Sequence, residues 1–133
     1  MSHPILVPLD GSPLSEAILP VVQALTRHAS SEILLLRSVG PDESSQPEIE
    51  VRQQTDAYLS RVAETLKAHG QPAVRWTVWY GDPAQVIVNA ATREEATLIA
   101  MGTHGRSGPS RWALGSVTEQ VLRASTMPLL ICQ

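Results

Sequence analysis

The chain predicts an α/β domain: an open, doubly wound parallel β-sheet with helices on both faces. Three observations carry that expectation. Five short apolar runs recur along the 133 residues, at 5–9, 32–39, 73–79, 97–101 and 128–132. The segments between them return an apolar residue every three or four positions, the period of a helix with one buried side. A glycine-rich stretch, GTHGRSGPSRWALGS (102–116), follows the fourth run directly. Strands separated by helices throughout imply parallel pairing and right-handed crossovers. The alternation runs through residues 1–133 without a linker or repeat, so one domain is expected. That length is enough to bury roughly two-thirds of the surface exposed by the unfolded chain.

Each element has its own justification. ILVPL (5–9) is a short strand, and Asp10-Gly11-Ser12-Pro13 after it is both a turn and a helix start. Ser12 can cap that helix and Pro13 suits its first position. Leu14, Ala17, Ile18, Val21, Val22 and Leu25 then share one helical face, and Pro20, lacking a backbone donor, is expected to kink the helix. EILLLRSV (32–39) is the second strand and GPDESSQPE (40–48) a polar loop. Val51, Tyr58, Val62 and Leu66 mark a helix that Gly70 should stop. In AVRWTVW (73–79) the alternation puts Trp76 and Trp79 on opposite faces of a third strand, with Val74 and Val78 beside Trp76. Asp82 caps and Pro83 opens the next helix, which turns Val86, Ile87, Ala90 and Ala91 inward. TLIAM (97–101) is the fourth strand. Ser116-Val117-Thr118-Glu119 reads as a capping box for the last helix, and PLLIC (128–132) as the fifth strand.

Composition excludes several functions. With 43% apolar and 17% charged residues the chain has the make-up of an ordinary globular domain. A net charge of -3 and the lack of any basic run argue against nucleic acid as a partner. No segment approaches the roughly 20 apolar residues that cross a bilayer, so no membrane association is expected. MSHPILVPLDGS is too short and too lightly charged in its apolar part for a signal peptide. The single cysteine, Cys132, excludes an internal disulfide, suits a reducing compartment, and reads as a small core hydrophobe. A cytoplasmic location is the expectation.

In open parallel sheets, ligands bind beyond the carboxyl ends of the strands, where the strand order reverses. Two strand ends here carry unusual chemistry: Asp10-Gly11-Ser12 after the first and the glycine-rich stretch after the fourth. That stretch contains four of the eight glycines, two arginines, a histidine and four hydroxyl residues. If the two strands are neighbours, an acidic side chain faces a row of backbone donors. A helix beginning at Ser116 adds unpaired N–H groups and a positive dipole end, which favour an anion. Neither the Walker phosphate pattern nor the dinucleotide fingerprint is present.

The stretch reads instead as Gly102, two residues, Gly105, nine residues, Gly115-Ser116. That spacing resembles the nucleotide-binding signature of the universal stress protein family, in its ATP-binding subgroup. The resemblance extends to ILVPLDGS, GDPAQVIVNAA, LIAMGTHGRSG and PLLIC. It implies a five-stranded parallel sheet of order 3-2-1-4-5, a Rossmann-like adenine-nucleotide fold, and ATP (or ADP or AMP) between the first and fourth strands. By position, Pro8, Asp10 and Ser12 resemble the first-strand edge of the nucleoside pocket. Val39 resembles the residue whose backbone meets adenine. Met101, Gly102, Thr103, His104, Gly105, Arg106, Ser107 and Gly108 resemble the loop around ribose and phosphates. Gly115, Ser116, Val117 and Thr118 resemble the phosphate-holding helix start. Mg²⁺, if bound, would be held mainly by the phosphates.

Each of these residues also has a plain reading. Asp10 can close a turn, Ser116 can cap, and Arg106 and Arg111 can solvate a loop. His104 lacks a partner for general-base chemistry, and His3, His28 and His69 fall at element ends. The tryptophans read as packing residues. No adjacent acid, base or lysine is evident for transferring a phosphoryl group. The expectation is therefore an ATP-binding sensor or regulator of a stress response. A slow ATP hydrolase or adenylating enzyme, and a nucleotide-free interaction module, are the alternatives. The uncharged last strand, 128–132, suggests a homodimer formed edge to edge.

Overall fold

The computed structural model describes residues 3–27, 31–40, 47–71, 73–103 and 115–132. In chain order the elements are β1 (Ile5–Pro8), α1 (Pro13–Glu16), α2 (Leu19–Thr26), β2 (Ile33–Val39) and α3 (Glu48–Ala68). They continue with β3 (Val74–Tyr80), α4 (Pro83–Arg93), β4 (Leu98–Gly102), α5 (Ser116–Ala124) and β5 (Leu129–Cys132). The five strands form one parallel sheet in the order β3-β2-β1-β4-β5. β1 lies between β2 and β4, with Ile5 opposite both Ile33 and Leu98.

Side chains alternate across the sheet, so two cores form. On one face Ile5, Val7, Ile33, Leu35 and Val39 pack against Ile18 and Val22 of the α1–α2 segment and Val51, Leu59 and Leu66 of α3. On the other, Leu6, Leu34, Leu36 and Met101 meet Val86, Ile87, Ala90 and Ala91 of α4 and Val121 of α5. Trp79 packs against this second core while Trp76, on the other face, donates its indole N–H to Asp56 of α3 at 3.4 Å.

The predicted kink at Pro20 is a full break. Without an N–H, Pro20 cannot bond the carbonyl of Glu16, and its ring crowds that carbonyl. Accordingly α1 stops at Glu16 and α2 restarts at Leu19 with proline in its first turn. The restart rotates the inward stripe to Ile18, Val22 and Thr26, which are buried. Leu14 and Leu25, expected on the buried face, are instead 40% and 49% exposed.

α3 ends as its glycine requires. Gly70 has φ +97°, its N–H bonds the carbonyl of Lys67 at 3.1 Å, and Gln71 N–H bonds Leu66 at 3.0 Å. This paired left-handed cap answers the last carbonyls of the helix. It also buries Gln71, whose Oε1 accepts from Thr26 Oγ1 at 2.6 Å and ties α3 to α2.

A second expectation fails at α5. The cap is Gly115, in extended conformation and without a side-chain hydrogen bond, and Ser116 is the first helical residue. Glu119, expected to reach back and complete a capping box, pairs forward with Arg123 at 2.6 Å. The helix begins one residue early because Gly115 is held by β4, as described below.

Burial separates two leucines that the sequence had placed alike in apolar runs. Leu34→Ala, at a site with no exposure, is expected to cost about 2–5 kcal/mol in urea unfolding with the slope unchanged. Leu25→Ala on α2 should stay within about 0.5 kcal/mol. Equal losses at the two positions would contradict the rotated helix.

Candidate functional site

The turn after β1 is built from short-range hydrogen bonds. The ladder continues past Pro8, with Leu9 N–H donating to Leu36 at 2.8 Å. Asp10 Oδ1 accepts from Ser12 N–H at 2.9 Å, and Gly11 between them has φ 90°, which favours glycine. Ser12 Oγ accepts from Ser15 N–H at 3.2 Å and caps α1, as its sequence position predicts. Ser15 Oγ donates to the carbonyl of Ser12 at 2.9 Å and accepts from Asp10 N–H at 3.3 Å. Asp10 thus closes a turn and at the same time stands half-buried at the carboxyl end of β1.

The end of β4 is fastened to the start of α5. Met101, Gly102 and Thr103 are buried, and Thr103 N–H prolongs the pairing with β5 by donating to Cys132 at 2.9 Å. Gly115 N–H donates to the carbonyl of Thr103 at 2.7 Å. Buried Thr118 donates its hydroxyl to the carbonyl of Gly102 at 3.0 Å. The chain therefore leaves β4 and returns to it within hydrogen-bond reach. Among the described residues no acceptor meets the backbone N–H groups of Ser116, Val117 and Thr118. These are the donors a helix start leaves unanswered, and they carry the positive end of its dipole.

β1 and β4 are adjacent, so Pro8, Asp10 and Ser12 share one sheet end with Met101, Gly102, Thr103, Gly115, Ser116, Val117 and Thr118. His104, Gly105, Arg106, Ser107 and Gly108 lie outside the described residues, as do Arg111 and Trp112. Val39 is buried at the end of β2, and its carbonyl accepts from Gly81 N–H at 3.0 Å. Its carbonyl therefore already has one protein donor.

Two contributors were not visible in the sequence. The Thr118–Gly102 bond joins residues 16 apart, across the glycine-rich stretch. Tyr58 of α3 donates to Glu16 Oε2 of α1 at 2.7 Å, a separation of 42 residues. Burial, and then this carboxylate, raise the Tyr58 phenol above its ordinary range; Asp10 acts in the same direction and Arg37 opposes it. The helical period marked Tyr58 as inward, but nothing local to it names Glu16 as partner.

The bonding pattern predicts unequal roles for neighbouring hydroxyls. Thr118→Val should cost about 1–3 kcal/mol, because it strands the carbonyl of Gly102 in a buried setting. Ser116→Ala should cost less than about 0.5 kcal/mol, since Ser116 is exposed and is not the cap. Chemical denaturation of the two variants checks both; a larger loss for Ser116→Ala would restore the capping box.

Comparison with known proteins agrees with this fold. The sequence profile of the Universal stress protein family matches residues 1–133. The chain is 30% identical over 140 residues to universal stress protein Rv2005c of Mycobacterium tuberculosis, covering 98% of this chain and 45% of that protein. The chain thus spans about half the length of this curated relative and of two further mycobacterial proteins with the same match. The structure of MJ0577, a universal stress protein of Methanocaldococcus jannaschii, superposes with a TM-score of 0.79 at 29% identity, covering 98% of this chain and 95% of that one. Universal stress proteins solved with cAMP and, from Archaeoglobus fulgidus, with dAMP share the fold, each with a TM-score of 0.76 and at 22% and 18% identity. The first match covers 100% of this chain and 98% of that one, the second 98% of each. The profile match over the whole length, joined to the sheet order, shows that this chain belongs to the universal stress protein family.

Proposed function

We propose that the protein binds an adenine nucleotide, ATP foremost, in the crevice between the ends of β1 and β4, and acts as a nucleotide-dependent sensor or regulator. The observation that carries this reading is the start of α5, pinned to β4 beside the Asp10 turn with three N–H groups lacking acceptors among the described residues. Phosphate oxygens answer such donors, and the helix dipole favours their charge. The fold neighbours solved with cAMP and dAMP support the adenine part of the assignment.

The residues divide by chemistry. Pro8, Asp10 and Ser12 edge the nucleoside side, with Val39 at the end of β2. Met101, Gly102 and Thr103 lead into the glycine-rich stretch, whose residues His104 to Gly108 are assigned to ribose and phosphates by the family resemblance alone. Gly115, Ser116 and Val117 offer backbone donors, while the Thr118 hydroxyl is already given to Gly102 and secures the helix. Among the described residues no three His, Cys, Asp or Glu gather to hold a metal. Mg²⁺ therefore fits as a companion of the phosphates, with Asp10 as the nearby carboxylate, and would neutralise phosphate charge there. The backbone donors at the start of α5 hold ground-state phosphates and are not groups that move a proton, which supports binding over turnover. A cytoplasmic setting suits a regulator of this kind.

The last strand supports a homodimer. β5 is a sheet edge paired only with β4 among the described strands, and Leu129, Leu130, Ile131 and Cys132 are all half-buried. An apolar sheet edge invites a second copy in a two-fold contact.

Three measurements test these statements. A hundredfold excess of Mg-ATP over its dissociation constant should stabilise the protein by about 2.7 kcal/mol and raise its melting temperature. Gly115→Val should weaken ATP far more than adenosine, because the added side chain obstructs the approach of phosphate to the helix start, while φ -64° is a backbone conformation that any residue adopts. No melting shift in millimolar Mg-ATP would end the nucleotide reading. Light scattering on the size-exclusion peak should give twice the 14.4 kDa chain mass; a monodisperse monomer at tens of micromolar would end the dimer.

A further inference from the structure

We propose that Tyr58 is a positioning residue for the candidate nucleotide site, holding through Glu16 the turn that presents Asp10. The inference rests on the proposed nucleotide reading and names what places its acidic edge.

The local bonds of the turn all join residues five or fewer apart: Ser12 to Asp10, Ser15 to Ser12, and Asp10 to Ser15. They fix its shape; its placement relative to the sheet comes from Leu9, held to Leu36, and from the contacts α1 makes with other elements. α1 is four residues long, far below what is stable alone, and the helix breaks after it. A segment so short takes its position from what it touches. Tyr58 touches it from another element: its hydroxyl meets Glu16 Oε2 at 2.7 Å while its ring packs, partly buried, against the core under α3. The Arg61 guanidinium lies 6.0 Å from the ring centroid on the same helix. α3 is a 21-residue helix bound to the sheet by six buried side chains, so it is a rigid post.

The chemistry of the contact matters as well as its geometry. Asp10 and Glu16 bring two carboxylates to one turn, and the phenol hydrogen satisfies one of them. Burial and the carboxylate both keep that hydrogen on Tyr58, since each disfavours the phenolate. A phenylalanine would fill the same space and leave Glu16 without that donor. Loss of the contact therefore lets α1, and the turn whose short-range bonds it carries, open more often, while the core is kept.

Amide hydrogen exchange and nucleotide titration on the full chain test this together. In Tyr58→Phe, the Ser12 and Ser15 amides should exchange about tenfold faster while Leu34 and Leu35 in β2 keep their protection. Mg-ATP affinity should fall about fivefold to tenfold through the displaced turn. Glu16→Gln, whose amide oxygen still accepts, should restore both readings to within about twofold of the parent, and Glu16→Leu should match Tyr58→Phe. Ser12 and Ser15 exchange within twofold of the parent in Tyr58→Phe would overturn the proposal, as would unchanged ATP affinity alongside faster exchange. If Tyr58→Phe does not fold, the Glu16→Gln and Glu16→Leu pair gives the same decision. A parent protein that binds no adenine nucleotide overturns the site reading itself, and the exchange data identify that failure separately because they are taken without ligand.

Discussion

β1 is hydrogen-bonded on both sides, to β2 and to β4, and the candidate site follows from that double pairing. Ile5 N–H bonds Glu32 at 2.8 Å on one side, and Pro4 accepts from Thr97 at 3.0 Å on the other. A parallel strand in the middle of a sheet must be apolar on both faces, and Leu6 and Val7 have no exposure. Chain that winds from β1 to β2 and β3, then crosses back to β4, has to reverse its direction at β1. The reversal leaves the ends of β1 and β4 side by side with their connections leading apart. The Asp10 turn and the start of α5 share one end of the sheet for that reason.

The helices around this centre differ in how their first turns are answered. α4 begins under Asp82, whose Oδ2 accepts from Gln85 N–H at 3.2 Å, and α1 under Ser12. α5 begins at a glycine with no side chain to offer. What steadies it is a pair of bonds to β4, from Gly115 N–H to Thr103 and from Thr118 to Gly102. The anchoring uses the cap amide and a side chain on the buried side, and among the described residues nothing accepts from the amides of 116–118. A side-chain cap would have answered one or two of those donors and reduced the helix start's attraction for an anion.

Opposite α5, order is supplied from a distance. The Asp10 turn is compact because of Ser12 and Ser15, and it is joined to α3 through Glu16 and Tyr58. The two strand ends thus differ in how they are secured: backbone and hydroxyl bonds to β4 hold α5, while a phenol–carboxylate bond joins α1 to α3. The first is short-range in space and spans 16 residues of chain; the second spans 42.

Local chemistry was legible in the sequence. Ser12 before Pro13, Asp82 before Pro83 and Gly70 after a helical run do in the structure what their types predict, because caps and turns are decided within a few residues. So were the five strands and the inward faces of α3 and α4, since burial period is a property of the chain itself. The order of the strands came from family resemblance and not from periodicity: five short apolar runs of similar character do not say which lie together. Tertiary structure alone decided that Leu25 faces outward, since the break at Pro20 rotates α2 as a body. It alone moved the α5 cap from Ser116 to Gly115, because a carbonyl at the end of β4 competes for that amide. Tyr58 found Glu16 in the same way. Such contacts join residues that only the folded sheet brings together, and their energies depend on burial that no local window of sequence contains.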